Sequence, residues 1–450
     1  DTRTLISTLT PTLSGGKSLG AIGGFFKLTG NNGVWNLSAL ELASGNHKTP
    51  TQLALNGSIA DLSGARSGNL EAQFRFTDAD LLNSIGGMAM APVSGNLKFE
   101  SSKEQLRVTL RSHVGTTSIS ANATVAVSGD AINGISLAVD TPHLYLQDFA
   151  FIPDEEAEPD ETTDTAETLP ALLRRIAPPY PVDMSLGVGG ISGDYSSIDS
   201  LELRVSGHDN LYTLEEFSAR YKQALTEIRG IVDLNPVPPA LSLAGRANAI
   251  PLGGLLKDVG IQSNVSGALT VQGGITMMGD TRESLISSLN GSIAFALEDA
   301  VIEGAAYDLL ATDLLAWIYS GALTEKSTHL DCTMAKFQLK EGVATSDSLY
   351  IESSRMLATG TAKFDLVKQR MDLRITPKSK SRLVQVPSEV RLKGDMSNPK
   401  ADVSAITAVA DATTSALMLV PNLTLRLFGL DTTSSKNYRP CQANLSNQAG

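Results

Sequence analysis

Short runs of alternating apolar and polar residues occur along most of the chain, and they constrain its fold more than any other feature. Four clear examples lie at residues 70–76, 106–110, 201–205 and 371–375. Each places aliphatic or aromatic side chains on one face and Arg, Glu, Asp or Thr on the other. This period of two is that of a β-strand with one buried face. Turn residues separate the runs at short intervals, which predicts an antiparallel meander.

A glycine motif recurs among these runs: an apolar residue, a small or polar residue, glycine, any residue, and then a strand. Its glycines are Gly57, Gly95, Gly267, Gly291 and Gly394. A glycine inside a strand costs stability unless it permits a bulge or a bend. The repetition therefore predicts a sheet that curves at intervals, as in a trough or an open barrel. Its irregular spacing is not that of a short-period solenoid.

Length and composition predict a large β-rich chain that forms two or more domains or one elongated body. A chain of 450 residues is too long for one compact core, and its 42% hydrophobic content argues against disorder. Residues 154–167 hold eight carboxylates and no basic side chain. We expect a flexible acidic linker at 154–168 between β-rich segments at 1–153 and 169–450. Calcium binding by this linker is the alternative, but the ligand spacing of an EF-hand is missing.

Helices are predicted to be few. Residues 167–176, 305–320 and 405–419 have helical features, and Pro421 ends the third segment. We expect all three to pack against the sheet. The alternative is a helix that caps an open end of a groove.

Motifs that would indicate catalysis or cofactor binding are missing from the sequence. None of the five histidines pairs with another at a zinc-ligand spacing, and there is no nucleophile elbow, phosphate-binding loop or dinucleotide fingerprint. The chain has a net charge of −12 and no basic stripe, which argues against nucleic-acid binding. No run of eighteen apolar residues that could span a membrane occurs. The sequence predicts a non-catalytic chain without metal or cofactor.

The apolar strand faces and the two cysteines each leave two interpretations open. A second layer, a partner or a ligand must cover the apolar faces. A filled β-sandwich core and a sheet that curves around acyl chains explain the alternation equally well. Cys332 and Cys441 lie outside any CxxC spacing, so they are either two buried thiols or one disulfide of an oxidising compartment.

From about residue 181 to 441, the order of these signals resembles the AsmA family. The segments that carry the resemblance are SLNGSIAFALEDAVIEG at 288–304, CTMAKFQLKEGV at 332–343, GTAKFDL at 360–366 and RLKGDMSNP at 391–399. No single segment is specific, but their order over roughly 260 residues is. The first 150 residues resemble the family only in β character and in the glycine motif.

The resemblance implies a fold, a location and a role. We expect a mostly β protein: an elongated, curved antiparallel sheet that forms a U-shaped groove or open barrel, with a few short α-helices. We expect it in the periplasm, attached to the inner membrane through an upstream segment, with a disulfide between Cys332 and Cys441. The implied role is in outer-membrane biogenesis, holding or conducting phospholipid between the inner and outer membranes, in contact with other envelope proteins. The alternative is a scaffold that assists outer-membrane protein assembly through its strand edges.

The resemblance also turns the alternating residues into candidates for the wall of a lipid groove. Each would contribute contact area to acyl chains, and none would act as a catalyst. The candidates are Phe74, Phe76, Leu97, Phe99, Val108, Leu110, Leu203, Val205, Leu373 and Ile375.

Overall fold

The computed structural model describes residues 21–31, 34–46, 49–60, 67–76, 88–128, 131–151, 168–193, 197–258, 265–303, 327–353, 356–380, 386–387, 389–396, 399–403, 406–407 and 441. These residues form a mostly β protein with three short α-helices, and its main sheet is largely antiparallel and not closed. The predicted fold class is confirmed in these respects. The chain divides into two compact units, Asp1–Ala166 with Ala177–Glu216 and Glu167–Ile176 with Phe217–Gly450.

Among the described residues, the first unit contains ten long strands and several short ones. Its strands are β1 (Ala21–Asn31), β2 (Val34–Asn46), β3 (Thr49–Ala60), β4 (Ser67–Phe76), β5 (Met88–Met90), β6 (Val93–Ser101), β7 (Gln105–Val114), β8 (Thr117–Ser128), β9 (Ala131–Thr141), β10 (Leu144–Tyr145), β11 (Phe149–Phe151), β12 (Val182–Val188), β13 (Ile191–Ser192), β14 (Ser197–Ile198) and β15 (Ser200–His208). The next strand, β16 (Leu211–Tyr221), contains the boundary between the units.

The long strands of the first unit pair in chain order. Strands β1 to β4 and β6 to β9 form an antiparallel meander, as the alternation predicts. Strand β12 then joins β9 in parallel and pairs with β15 antiparallel. The acidic stretch at 154–167 lies outside the described residues, so the predicted linker and segment boundaries stay predictions.

The second unit continues with antiparallel hairpins. Its strands are β17 (Ala224–Asp233), β18 (Ala240–Pro251), β19 (Val265–Met278), β20 (Asn290–Glu303), β21 (Ser327–Lys340), β22 (Val343–Glu352), β23 (Met356–Asp365), β24 (Arg370–Ser379), β25 (Val386–Pro387), β26 (Val390–Asp395), β27 (Pro399–Val403) and β28 (Ile406–Thr407). Each long strand from β17 to β24 pairs with the next, and β26 and β27 follow.

The three helices are α1 (Leu169–Ile176), α2 (Leu252–Asp258) and α3 (Arg282–Ser287). Helix α1 confirms the helix predicted at 167–176. Residues 305–320 lie outside the described residues, as does most of 405–419. The helix predicted for the latter range is wrong at Ile406 and Thr407, because these residues pair with β25 as strand β28. The sequence did not predict α2 or α3; α3 begins at Thr281, whose side chain accepts a hydrogen bond from the Ser284 N–H.

At four of the recurring glycines, Gly57, Gly95, Gly267 and Gly291, neighbouring strands approach each other too closely for a side chain. At Gly267 the backbone has φ +134°, and the register between β19 and β20 shifts beside it. A Cβ atom there would lie 2.9 Å from the Glu298 carbonyl oxygen. The predicted link between this motif and bulges holds at this site.

Candidate functional site

Two rows of apolar side chains cross the sheet of the first unit from β3 or β4 to β15. Residues that face each other across paired strands lie on the same side of a sheet, so the strand register defines each row. The first row consists of Leu55, Ala72, Leu97, Leu110, Ala121, Val139, Leu186 and Leu203. The second consists of Leu70, Phe99, Val108, Ala123, Leu137, Met184 and Val205. We call this side of the sheet the apolar face.

The opposite side of the same strands is polar. Thr109 and Thr124 lie there, beside Val108 and Ala123 in the sequence. Lys98 pairs with Glu100 at 2.6 Å, and Asn96 donates a hydrogen bond to Glu71. The sheet of the first unit is therefore amphipathic, with one apolar and one polar side.

The apolar face is only partly covered. Of the fifteen side chains in its rows, Ala72 is buried, Met184 is 45% exposed and the other thirteen are half-buried. Among the described residues, each long strand of the first unit makes its extensive contacts with the strands beside it, and no helix packs across the face. A filled β-sandwich core would bury these side chains fully.

Eight of the ten predicted groove residues lie on this face. Leu97, Leu110 and Leu203 belong to the first row, and Phe99, Val108 and Val205 belong to the second. Phe74 and Phe76 extend the same side of β4, and their rings stack with centroids 5.5 Å apart. An open hollow of about 680 Å³ at this end of the sheet is bordered partly by Phe74 and Val93, but also by Gln73, Arg75, Ser94 and Asn96 of the polar side, so it is not part of the apolar face.

The second unit carries an apolar hollow of about 260 Å³. Its floor is formed by Gly245 and Gly273, which face each other across β18 and β19. Its walls are aliphatic side chains that include Ile228, Leu243, Val271, Ile275 and Ile293. The paired glycines remove side-chain volume in mid-sheet, so the hollow results from the register that sets Gly245 opposite Gly273.

Farther along the second unit the same side of the sheet is packed. Ala335, Leu349, Ala358 and Ile375 form a buried cluster, against which partly buried Leu373, Phe295 and Phe337 pack. Ile375 is only 5% exposed. The structure thus places the predicted groove residues Leu373 and Ile375 in a filled cluster, apart from the eight on the half-covered face. The role of all ten residues as groove lining stays a prediction.

A disulfide joins Cys332 in β21 to Cys441, and it lies on the other side of the sheet of the second unit. Both cysteines belong to a buried cluster with Met334, Tyr350 and Leu357. The Cys441 N–H donates a hydrogen bond to Glu298, whose pKa is raised by burial even though this hydrogen bond opposes the rise. The pairing that the family resemblance implied is confirmed.

The buried carboxylate beside the disulfide, that of Glu352, is paired. The Glu352 carboxylate is 4% exposed; it accepts hydrogen bonds from the Tyr350 hydroxyl at 2.8 Å and from Lys380 Nζ at 2.7 Å. Burial, followed by the charge of Glu352, raises the pKa of Tyr350 far above its usual value. Such a phenol stays protonated at neutral pH, so it acts as a hydrogen-bond donor and not as a base.

Three neighbouring side chains are of types that can transfer protons: Tyr221, Lys222 and Asp258. Their geometry shows instead that they hold the end of a helix in place. The Tyr221 hydroxyl donates to Asp258 at 2.6 Å, and Lys222 Nζ lies 3.6 Å from the same oxygen. Burial and the hydrogen bond to Asp258 raise the pKa of Tyr221, so it holds its proton. The three groups fasten the end of α2 to the turn after β16. Within the described part of the chain, no three His, Cys, Asp or Glu residues are grouped to hold a metal ion.

Asp148 in the first unit is a structural clamp. Its buried carboxylate accepts hydrogen bonds from both the N–H and the hydroxyl of Thr116 and of Thr117, at 2.8–3.0 Å. Burial by itself would raise the pKa of Asp148, but these hydrogen bonds outweigh it and the pKa lies below its usual value. The clamp fixes the segment before β11 to the β7–β8 turn.

The model of the AsmA family matches residues 155–349 of the sequence. The chain carries an AsmA family domain. That domain begins in the acidic stretch and ends in β22, which covers the hollow, α1 to α3 and Cys332. It indicates an AsmA-like envelope-biogenesis protein, and together with the disulfide it suggests a location in the cell envelope. No curated protein and no solved structure gives a significant match. Among the described residues, no helix is long and apolar enough to cross a membrane.

Sequence reasoning missed the hollow on the second unit and the anchors of α1 to α3. The glycines of the hollow were visible in LAGRA at 243–247 and VQGGI at 271–275, but only the register shows that Gly245 faces Gly273. The hydrogen-bond partners of Asp148 lie about thirty residues earlier in the chain, which no local pattern could indicate.

Proposed function

We propose that this AsmA-like protein holds phospholipid acyl chains against the apolar face of its sheet in the periplasm. An inner-membrane anchor upstream would place it to pass lipid toward the outer membrane. The observation that carries the proposal is the pair of apolar rows in the first unit, which continue across seven or more strands and stay half-buried.

The chemistry of the face favours acyl chains over other ligands. Hydrocarbon chains need contact area and no hydrogen bonds, and the rows offer Leu, Val, Ala, Phe and Met side chains without a charged group. Continuity across strands suits a long, flexible ligand that can occupy any part of the face. A compact polar substrate would instead require a few converging polar groups.

The test is mass spectrometry of lipids extracted from the purified protein. We expect phospholipid to co-purify with the wild-type chain. In the Val108→Asp/Ala123→Asp variant, two carboxylates would stand in the second row. Placing each carboxylate in hydrocarbon costs about 3 kcal/mol, so bound lipid should fall by at least about a hundredfold.

The matched control is Thr109→Asp/Thr124→Asp, which adds the same charges to the same two strands on the polar side. It should retain wild-type lipid. An uncharged variant, Ala123→Phe, should lower lipid content by filling space if the charged variant proves unstable. Repeated recovery of lipid-free wild-type protein, or an equal loss of bound lipid in both Asp variants, would refute the proposal. Lipid-free protein with a co-purifying envelope protein would favour the scaffold alternative.

A further inference from the structure

The hairpin connections at one end of the second unit form a continuous row. These are the turns that follow β17, β19, β21 and β23 with the last residue of each of those strands, together with Asp395 and Met396 at the end of β26, and we call them the tip row. Backbone hydrogen bonds of 2.8–3.0 Å link each connection to the next one along the edge. The four bonds run from Gly279 N–H to Pro239 O, Gly342 N–H to Leu289 O, Leu366 N–H to Gly342 O and Met396 N–H to Gln369 O. The tip row is therefore a bonded edge with a defined arrangement.

Helix α1 is fastened to this edge. The Thr168 hydroxyl donates to the Asp280 carbonyl oxygen at 2.7 Å, and Arg174 pairs with the Asp280 carboxylate at 2.8 Å. Pro170 is the buried residue of the helix, whereas Leu169 and Ile176 at its two ends are 49% and 56% exposed. The helix thus adds two apolar side chains to the tip row.

Exposed apolar side chains are concentrated on the tip row and α1. Of the seven large apolar side chains described as exposed in the second unit, six lie here. They are Val237 (89% exposed), Ile176, Leu169, Met278, Val367 and Met396. Single exposed apolar residues are ordinary, but six along one bonded edge indicate an interaction surface.

The charge of this edge differs from that of the whole chain. The tip row and α1 carry Arg174, Arg175, Arg282, Lys340 and Lys368 against Asp233, Asp280, Glu283, Glu341, Asp365 and Asp395, so the two signs nearly balance, while the chain has a net charge of −12 that comes largely from the acidic stretch. A nearly neutral edge can approach zwitterionic headgroups without strong net repulsion.

We propose that the tip row and α1 dock onto the surface of a zwitterionic phospholipid bilayer. The six side chains would enter the boundary between headgroups and acyl chains, and the arginines would stay at the level of the phosphates. The apolar residues lie on separate hairpins. Neighbouring hairpin turns at one end of a sheet are about 10 Å apart, because each hairpin occupies two strands. A protein groove requires a continuous complementary patch, whereas a bilayer accepts separate side chains one by one.

The experiment is flotation with vesicles of phosphatidylcholine and phosphatidylethanolamine in equal parts, at physiological salt. The test variant is Ile176→Ser/Val237→Ser/Met396→Ser. The matched control, Ile132→Ser/Leu146→Ser/Leu211→Ser, removes three side chains of 41–42% exposure from the first unit. We expect the wild-type protein and the control to float, and the partition of the test variant to fall about tenfold or more. Thermal unfolding verifies that both variants fold.

Four results would overturn the proposal: no flotation of the wild-type protein, equal flotation of the test variant, equal loss in the control, or binding to anionic vesicles alone. A change from dimer to monomer in the test variant, measured by light scattering, would instead assign the edge to a second copy of the chain. Lipid extracted from the protein reports on the apolar face and not on the tip row, so this proposal and the proposed function can fail separately.

Discussion

Reduction of the Cys332–Cys441 disulfide is expected to destabilise the second unit strongly. The bond links residues 109 positions apart, and Cys332 is fully buried while Cys441 is 3% exposed. A cross-link over a loop of this length lowers the entropy of the unfolded chain, which stabilises the folded state by about 5 kcal/mol at 25 °C. For a unit of this size, the loss corresponds to a fall in melting temperature of about 10–20 °C.

The assay is differential scanning calorimetry with and without a phosphine reductant. Reduction removes the bond and leaves both sulfur atoms in place, so the change reports the cross-link and not a cavity. The first unit contains no cysteine, and any transition of its own should stay in place as an internal reference.

The Cys332→Ala/Cys441→Ala variant is the control for this measurement. It should unfold near the temperature of the reduced wild-type protein and should not respond to the reductant. Labelling of two free thiols in the native, unreduced protein, or an unchanged melting temperature after reduction, would refute the reasoning.

Two further predictions concern buried carboxylates. Asp148→Asn should lower the free energy of unfolding at pH 7 by about 2–3 kcal/mol, because hydrogen bonds to a buried charge are lost. The pKa of Asp148 is lowered in the folded protein, so this carboxylate stabilises the fold above pH 3.8 and stops doing so as the pH falls through its lowered pKa. Urea unfolding should show this loss of stability in acid for the wild-type protein and not for the variant. Lys380→Met should lower the free energy of unfolding by about 2–3 kcal/mol, because it leaves Glu352 without its cation. The loss should be smaller than for a fully buried ion pair, because the Lys380 side chain is 27% exposed.

Each of these variants has an outcome that would contradict it. Equal acid sensitivity of Asp148→Asn and the wild-type protein would show that the Thr116 and Thr117 hydrogen bonds do not set the native pKa. For Lys380, the control is Lys340→Met on an exposed strand end, which should change the unfolding free energy by less than about 0.5 kcal/mol. Equal effects of the two lysine variants would remove the Glu352 pair from the explanation.

Strand identity could be predicted from sequence because the side-chain period is local. The runs at 70–76, 106–110, 201–205 and 371–375 all lie in strands, with the side that the alternation indicated turned inward. Helices α2 and α3 were missed because they are short, seven and six residues, and are held by distant partners such as Tyr221. Ile406 and Thr407 formed a strand where a helix was predicted, because pairing with β25 overrides local propensity.

The sequence by itself determined that this chain is β-rich, that its strands have one apolar side, and that an AsmA-like region occupies its middle. Those properties depend on residues close together in the chain. Only the tertiary structure decided which strands stand side by side. That pairing aligns Leu97 with Leu110 in a half-covered row, while it packs Ile375 into a filled cluster from the same alternating pattern. The two outcomes differ because the coverage of a sheet face depends on what packs against it. The alternation of residues along a strand does not show what that is.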